Sequence, residues 1–482
     1  MKRKKVSIDA ARTKVDNEAE SHDELFPFFD NLPSHLTANI LLRLPVKPLL
    51  ICKCVCKIWK RLISEPHFAK LQFERAPLSF MIRTLDDIRV SRTMYLLECE
   101  PEKFEIGSNK HVKLEPIFKL PLISFRDKRS EISNEFNRPV RAARLVSGKN
   151  NENIDRDRTN RYSYTACNKY YDKFDIVNSC NGLLCLSEPT TGNPSVICNP
   201  VTGEFIRLPE ATTNRTRVRM VGQVGFGFQP NTNEYKVIRM WIRHGKRAND
   251  RVILQINTLG TTILRNVEVD PQISFLSLEY PTCVNGALHW IRYENQQRSI
   301  LFFCFESERL QSFPSPPHVF GNHNSGIVDN RHIMGELKGF LYICDWTFLS
   351  DVSVWVMNEY GIEESWTKVY NIDTSFNPSG CLITWGSGLW PIKHFEEGAA
   401  ILLYHCYNCF IFYEPEKYGF KVFRIHGSHS KFFEVIPHIP SLISLKDVLK
   451  GDNIEVLNIH SRCAKFKLRE ERDVLSLFQE IV

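Results

Sequence analysis

Cysteine and histidine are the side chains of this chain best able to do chemistry, and their spacing decides whether they can. Cys52-x-Cys54-x-Cys56 is the densest thiol cluster, and closely spaced thiolates are common ligands of structural zinc. On a helix, however, these three positions do not share one face, and no His-x3-His partner follows. Cys406-x-x-Cys409 beside His405 has better ligand spacing, but it sits in a strand-like run with no second Cys pair. Buried free thiols are expected at both places, with no metal and no cofactor. His289 beside Trp290 could serve as a base only with a carboxylate to orient it. The alternating run around it offers none, so a structural histidine with satisfied hydrogen bonds is expected. Asp345-Trp346 reads as a pair at the end of a strand, and His426-Gly427-Ser428-His429 as a turn. GxxxxGK[ST], GxSxG, HExxH and dinucleotide-binding glycine patterns are all absent from the sequence. Gly225-Phe226-Gly227-Phe228 has bulky residues between its glycines and cannot cradle a phosphate. No catalytic residue is assigned, and the chain reads as a binding protein rather than an enzyme.

The apolar residues are more specific. From Leu32 to Ile63 the chain is far denser in Leu, Ile, Val and Trp than its flanks. A module of roughly 35 residues buries little surface by itself, so part of this material calls for a partner. Ser34 is placed to cap a first helix, along which Leu36, Ile40, Leu41 and Leu44 recur at three- and four-residue spacing. Pro45 ends it and Val46-Lys47-Pro48 restarts the chain. Leu49, Leu50, Cys52, Val55, Cys56 and Trp59 mark a second stripe, and Leu62, Ile63, Pro66 and Phe68 a third segment. Three short helices with proline bends are predicted.

Leu32-Pro33, Ile40-Leu41, Leu44-Pro45-Val46-Lys47, Leu49-Leu50, Val55-Cys56-Lys57, Trp59 and Leu62-Ile63 together resemble the F-box. Two positions depart from that pattern: Ala38-Asn39 replaces the usual acidic residue before the Ile-Leu pair, and Leu71-Gln72-Phe73 lacks the usual His. The resemblance implies docking to a Skp-type adaptor, and through it to cullin, by apolar anchors in adaptor pockets. The anchors it implies are Leu32, Pro33, Leu36, Ile40, Leu41, Leu44, Pro45, Val46, Leu49, Leu50, Val55 and Trp59. Pro33, Leu41, Leu44, Pro45 and Trp59 are nominated for the largest losses on substitution.

Beyond Ser79 the texture changes to strands separated by Gly, Asn, Pro and Asp turns. One grammar recurs. Asn181-Gly182-Leu183-Leu184-Cys185-Leu186 returns as Asn285-Gly286-Ala287-Leu288-His289-Trp290, as Lys338-Gly339-Phe340-Leu341-Tyr342-Ile343 and as Glu397-Gly398-Ala399-Ala400-Ile401-Leu402. Each is followed by two further apolar runs. The spacing is about 50–60 residues with one interval doubled, and Gly225 to Thr258 fills the doubled one, which is the signature of propeller blades. Ser79–Arg83, Met94–Glu98 and Leu114–Leu122 are expected to form a first blade, and Phe433–Ile436 with Leu442–Leu445 to close a ring of about six.

The motifs Ser179-Cys180-Asn181-Gly182-Leu183-Leu184-Cys185, Cys198-Asn199-Pro200-Val201-Thr202-Gly203 and Gly225-Phe226-Gly227-Phe228 with Glu234-Tyr235-Lys236-Val237 look like the F-box-associated domain of plant F-box proteins. Asn285–Trp290 and Ser353–Met357 with Trp366 fit the same family. That resemblance implies a kelch-like propeller over roughly residues 170 to 425.

The expected class is therefore α+β multidomain: a small three-helix F-box, an all-β propeller of about six blades and a short C-terminal helix. Its expected parts are a basic and polar tail (1–24), the F-box (25–72), the propeller (73–445, with a flexible insertion at 126–169) and a C-terminal extension (446–482). In that extension Phe466, Leu468, Val474, Leu475, Leu477 and Phe478 suggest the helix. Fifteen cysteines without an apolar leader point to reduced thiols in the cytoplasm or nucleus. The run Ile401–Tyr413 is too short and polar to span a bilayer, and a net charge of +7 on 482 residues does not by itself call for nucleic acid. The expected role is substrate recognition in a Skp–cullin–F-box ubiquitin ligase, with a protein target on the propeller. The alternative is an adaptor-independent scaffold, or a propeller binding a small molecule or nucleic acid.

Overall fold

Proline and cysteine set the helix boundaries near the N-terminus. The computed structural model describes residues 32–85, 93–98, 111–114, 116–121, 174–188, 194–210, 218–220, 224–243, 251–275, 277–294, 297–317, 319–320, 332–346, 351–373, 389–395, 399–405, 409–417, 419–427, 432–449, 454–459 and 475–479. The 1–24 tail, the 126–169 insertion, Cys406, Phe466 and Leu468 lie outside these. The chain divides between Phe68 and Ala69 into two compact units.

The helices are α1 (Ser34–Leu41), α2 (Val46–Cys52), α3 (Lys57–Ile63) and α4 (Pro66–Arg75). Pro33 and Pro45 occupy the N-cap positions of α1 and α2, where a fixed φ suits the turn and a missing N–H costs nothing. Ser34, expected as the cap, is instead the first helical residue. Four helices stand where the spacing suggests three, because the Leu49–Trp59 stripe breaks in a turn at Lys53–Val55. Cys56 is extended there, and its sulfur accepts the Trp59 N–H at 3.4 Å, starting α3. Helices α1 and α2 both pack on α3.

The second unit is a ring of six antiparallel sheets. Blade one holds strands 79–85, 93–98 and 116–119, and blade two 175–180, 183–187, 194–199 and 204–207. Blade three holds 225–229, 234–243, 251–258 and 265–267, with 218–220 beside them. Blades four (277–313), five (332–373) and six (389–426) each run as a four-strand meander. The turns of the recurring motif explain why it recurs. Asn181-Gly182, Asn285-Gly286 and Lys338-Gly339 all have φ between 45° and 83°, the two-residue connection whose twist matches paired strands. Each blade buries its faces against its neighbours. Ile238, Leu254, Trp290 and Phe303 fill the seam between blades three and four, and Phe80, Tyr95, Leu402 and Phe410 that between six and one.

The ring is closed by Phe432–His438, which pairs antiparallel with Ser79–Leu85 along its whole length and becomes a fourth strand of blade one. Arg83 is buried at this junction. Its Nε donates to the Glu434 carboxylate and its Nη1 to the Phe174 carbonyl at 2.8 Å, just before blade two.

The chain after the closing strand is clamped by the Cys198–Gly203 turn. The Asn199 amide donates to the carbonyls of Ser441 (3.0 Å) and Ile443 (2.8 Å), while its oxygen accepts the N–H groups of Val201 and Thr202. Glu204 accepts from the Leu445 N–H at 2.8 Å and the Ser444 hydroxyl at 3.0 Å, at the start of a short helix, α5 (Leu445–Val448). So 442–445 does not continue the closing strand.

Two further assignments change. Leu475–Gln479, read as part of a terminal helix, is a strand between Phe423–His426 and His111–Leu114 in blade six. Leu475 and Leu477 are buried on either side of a half-exposed Ser476, the two-residue period of a strand. Leu114–Leu122 is not one strand: His111–Leu114 belongs to blade six and Pro116–Lys119 to blade one. Leu457–Asn458 adds to the edge of blade two.

Two substitutions test the clamp. A Cβ at Gly182, where φ is +77°, would lie 2.2 Å from Ser441 Cβ. Gly182→Ala should therefore lower unfolding free energy by on the order of 2 kcal/mol or more. Asn199→Ala strands two carbonyls and two N–H groups and should cost about 2–4 kcal/mol. Denaturant unfolding followed by tryptophan fluorescence measures both; unchanged midpoints would contradict the clamp.

Candidate functional site

The anchors expected on the helical module fall into two groups. Leu41, Val46 and Leu49 are buried, as are Leu42 and Ile63, so they hold the helices together and offer no free surface. Leu32, Leu44, Pro45, Leu50 and Trp59 are half-buried. Pro33, Leu36, Ile40 and Val55 are exposed. Ile51 and Ile58, not singled out from the sequence, are exposed as well. Ile51 lies at the end of one helix, Val55 in the turn and Ile58 at the start of the next helix, so no single helical period marks them in the sequence. The three neighbouring cysteines are engaged separately: the Cys54 thiol donates to the Leu50 carbonyl at 3.7 Å, Cys56 caps α3, and Cys52 is half-buried.

Four histidines of the propeller, His289, His332, His405 and His438, are buried in its core. Around His289, Nδ1 lies 3.3 Å from the Thr282 carbonyl and Nε2 2.9 Å from the Tyr360 hydroxyl. With Nδ1–H donating to the carbonyl, Nε2 accepts from Tyr360, so both nitrogens are occupied. Phe302 and Phe313 enclose the ring, and burial lowers its pKa to about 4. His405 sits opposite Cys409 across a strand pair and is lowered to about 4 by burial, helped by Arg424. His438, in the closing strand, meets the Ser179 hydroxyl at 3.0 Å and is lowered to about 3 by burial. Asp345 pairs with His332 at 3.4 Å. His426 is exposed in blade six, and His429 lies outside the described residues. Among the described residues no group of three His, Cys, Asp or Glu side chains could hold a metal ion. No described helix is long and apolar enough to cross a membrane.

What the propeller offers instead is contact surface. Its exposed large apolar side chains, among the described residues, are Ile263, Phe340, Tyr360, Ile362 and Val369, and all but the first are on blade five. Phe340 and Val369 border a groove of about 350 Å³ between blades five and six, lined also by Leu337, Tyr370, Asn371 and His394. Within it the Tyr370 hydroxyl donates to the Ala399 carbonyl at 2.9 Å and contacts His394 Nδ1, Asn371 accepts from the Ser353 hydroxyl at 3.0 Å, and Lys338 adds a cation to the lining. Such a lining suits an apolar side chain.

These features agree with the sequence comparisons. The F-box associated beta propeller domain matches residues 136–447, more than half of the chain, and the F-box domain matches residues 29–71. The chain belongs to the F-box-associated β-propeller family. Its relatives are plant F-box proteins. The F-box protein At3g07870 of Arabidopsis thaliana is 28% identical over 55% of this chain and 69% of its own length. The F-box/kelch-repeat protein At3g23880 of the same plant is 25% identical over 78% and 88%, and its F-box protein DOR 23% identical over 77% and 83%. A chain of a nidogen/laminin complex aligns at a TM-score of 0.36 and 7% identity, over 75% of this chain and 99% of that one, too loosely to inform the fold. The helical module is thus an F-box, and the ring its associated propeller.

The buried titratable groups set a pH dependence. In His289, His405 and His438 the folded pKa lies below the ordinary 6.5. Their contribution is fully present above about pH 6.5 and is lost as pH falls, on the order of 3 kcal/mol per histidine near pH 4. Asp175 acts oppositely. Burial raises its carboxyl from 3.8 to about 6, against the pull of Arg83 and with a push from Glu434. Its contribution is present below about pH 4 and lost as pH rises through 6. The histidines make unfolding free energy fall between about pH 6.5 and 4.5, opposed by Asp175 and by Glu279 and Glu336, whose carboxyls burial also raises. His289→Gln should flatten that slope and Asp175→Asn should steepen it, as read by urea unfolding across pH.

Proposed function

We propose that this protein is the substrate-recognition subunit of a Skp–cullin–F-box ubiquitin ligase. Its F-box docks the Skp-type adaptor, and its propeller holds a target protein. One observation carries the reading: a module with its own buried core leaves Leu36, Ile40, Ile51, Val55 and Ile58 at 43–61% exposure. Large apolar side chains gathered at that exposure on so small a unit favour a partner groove. Buried Leu41, Val46 and Leu49 support the backbone that presents them, and half-buried Leu32, Leu44, Pro45, Leu50 and Trp59, with exposed Pro33, complete the docking set.

The subunit needs no catalytic residue of its own. Tethering raises the effective concentration of target lysines near the activated ubiquitin, and that proximity is its contribution to rate. The role calls for a cytoplasmic or nuclear location. The exposed aromatic and aliphatic side chains of blade five supply contact area of the kind that binds protein targets.

The adaptor reading is tested on exposed positions, where substitution spares the fold. Ile40→Asp combined with Val55→Asp should weaken binding of a purified Skp-type adaptor by about 100-fold or more, with the circular dichroism spectrum unchanged. Leu41→Ala should also reduce binding, but by melting the helices. Undiminished affinity in the double variant would reject the proposal. Proteins that accumulate around an F-box deletion, compared with wild type under proximity labelling, would then identify the target.

A further inference from the structure

Several cations of the F-box stand where its helices gain nothing from them. A helix N-terminus carries a partial positive charge, so carboxylates stabilise its first turn and cations weaken it. None of α1, α2 and α3 has an acidic residue in its first turn, and Lys57 opens α3. Lys60 and Arg61 lie in the last turn of α3, where the dipole favours them. They are also three and four positions from Lys57, close enough on a helix for like charges to repel. Among the described residues, Arg43, Lys57, Lys60 and Arg61 are exposed and form no ion pair. With Lys47 and Lys53 they make six cations against one carboxylate, Glu65, over residues 32–68, a net charge of +5 on this short module. The whole chain carries only +7 on 482 residues.

These charges border the apolar face. Val55 and Ile58 are exposed three positions apart, Lys57 lies between them, and Arg61 follows Ile58 by three. On a surface that stays wet, such cations keep their hydration at little cost. On a face that docks, each gives up part of that hydration, and a carboxylate across the rim is what compensates the loss. A basic rim opposite them would instead disfavour docking through like-charge repulsion. Asn39, exposed beside Ile40, fits the same pattern, because it stands where an F-box commonly carries an acidic residue that a carboxylate rim would repel.

We propose, on the basis of the adaptor role above, that the groove receiving this F-box is rimmed by carboxylates, and that Lys57, Lys60 and Arg61 steer the adaptor onto Val55 and Ile58. The apolar anchors govern how long the complex lasts. The cations govern how fast it forms and which adaptor is taken, since rim charges act chiefly on association.

The test measures association and dissociation rates of the full-length protein with a purified Skp-type adaptor. Raising salt from about 50 to about 500 mM should slow wild-type association about tenfold and leave dissociation nearly unchanged. In the Lys57→Glu, Lys60→Glu, Arg61→Glu triple variant, association at low salt should fall about tenfold or more, and added salt should raise it. A matched reversal on exposed propeller positions, Arg207→Glu, Arg309→Glu, Lys368→Glu, changes net charge equally and should leave association unchanged. Wild-type association that ignores salt while affinity is retained would overturn the proposal and leave the adaptor role standing. So would equal slowing by the propeller reversal. An adaptor that does not bind the wild type at all would reject the adaptor role, and this proposal with it. Because salt dependence is read on the wild type, a triple variant that fails to fold does not affect it.

Discussion

A four-strand meander carries apolar side chains on both faces, so a blade is stable only between two neighbours. In a row of six, the first and last would each leave one face in water. Here that cost is avoided by Phe432–His438 pairing with Ser79–Leu85, strands separated by almost the whole propeller. The pairing completes blade one and sets it against blade six over the shared core of Phe80, Ile82, Leu402 and Phe410. Arg83 reinforces the junction from inside, joining Glu434 of the closing strand to the Phe174 carbonyl of the next blade. The Asn199 and Glu204 clamp then fixes the chain leaving the closing strand. Every seam of the ring depends on this closure.

The two units divide labour by what they do with apolar surface. The propeller spends most of it between blades and keeps a smaller portion outward on blade five. The F-box cannot bury as large a share, and its leucines and isoleucines separate accordingly. Those on inward helix faces make the core, and those on outward faces remain available. Leucine 41 and isoleucine 40 are neighbours in sequence with opposite fates, one at 2% exposure and the other at 52%. A hydrophobic motif therefore names a module more readily than it names contact residues.

Local rules explain how much of this was legible. The Asn-Gly turns announce the blades because both residues need positive φ, a demand that shows in residue type. The proline bends of the F-box are legible for the same reason. The order of apolar runs gave the blade number and pointed to Phe433–Ile436 as the closing strand. What escaped depends on distant partners. Leu475–Gln479 has an apolar pattern compatible with a helix, and only the free edges of Phe423–His426 and His111–Leu114 make it a strand. Nothing near Leu114 shows that its strand joins blade six while the next one joins blade one. His289 was readable as structural from its missing carboxylate, but its tyrosine partner lies 71 residues away.

Closure by a late strand bears on how the protein is made. A ribosome delivers the F-box helices first, and they depend mainly on contacts close in sequence. Blade one follows at once, yet its inner strand is not synthesised until residues 432–438. For most of translation Phe80, Ile82 and Tyr95 must therefore wait beside an open edge, which is the kind of intermediate that chaperones hold. During that interval the F-box can already be folded while the propeller is still an open row of blades. A chain stalled before its closing strand would carry a finished F-box joined to a ring that cannot shut.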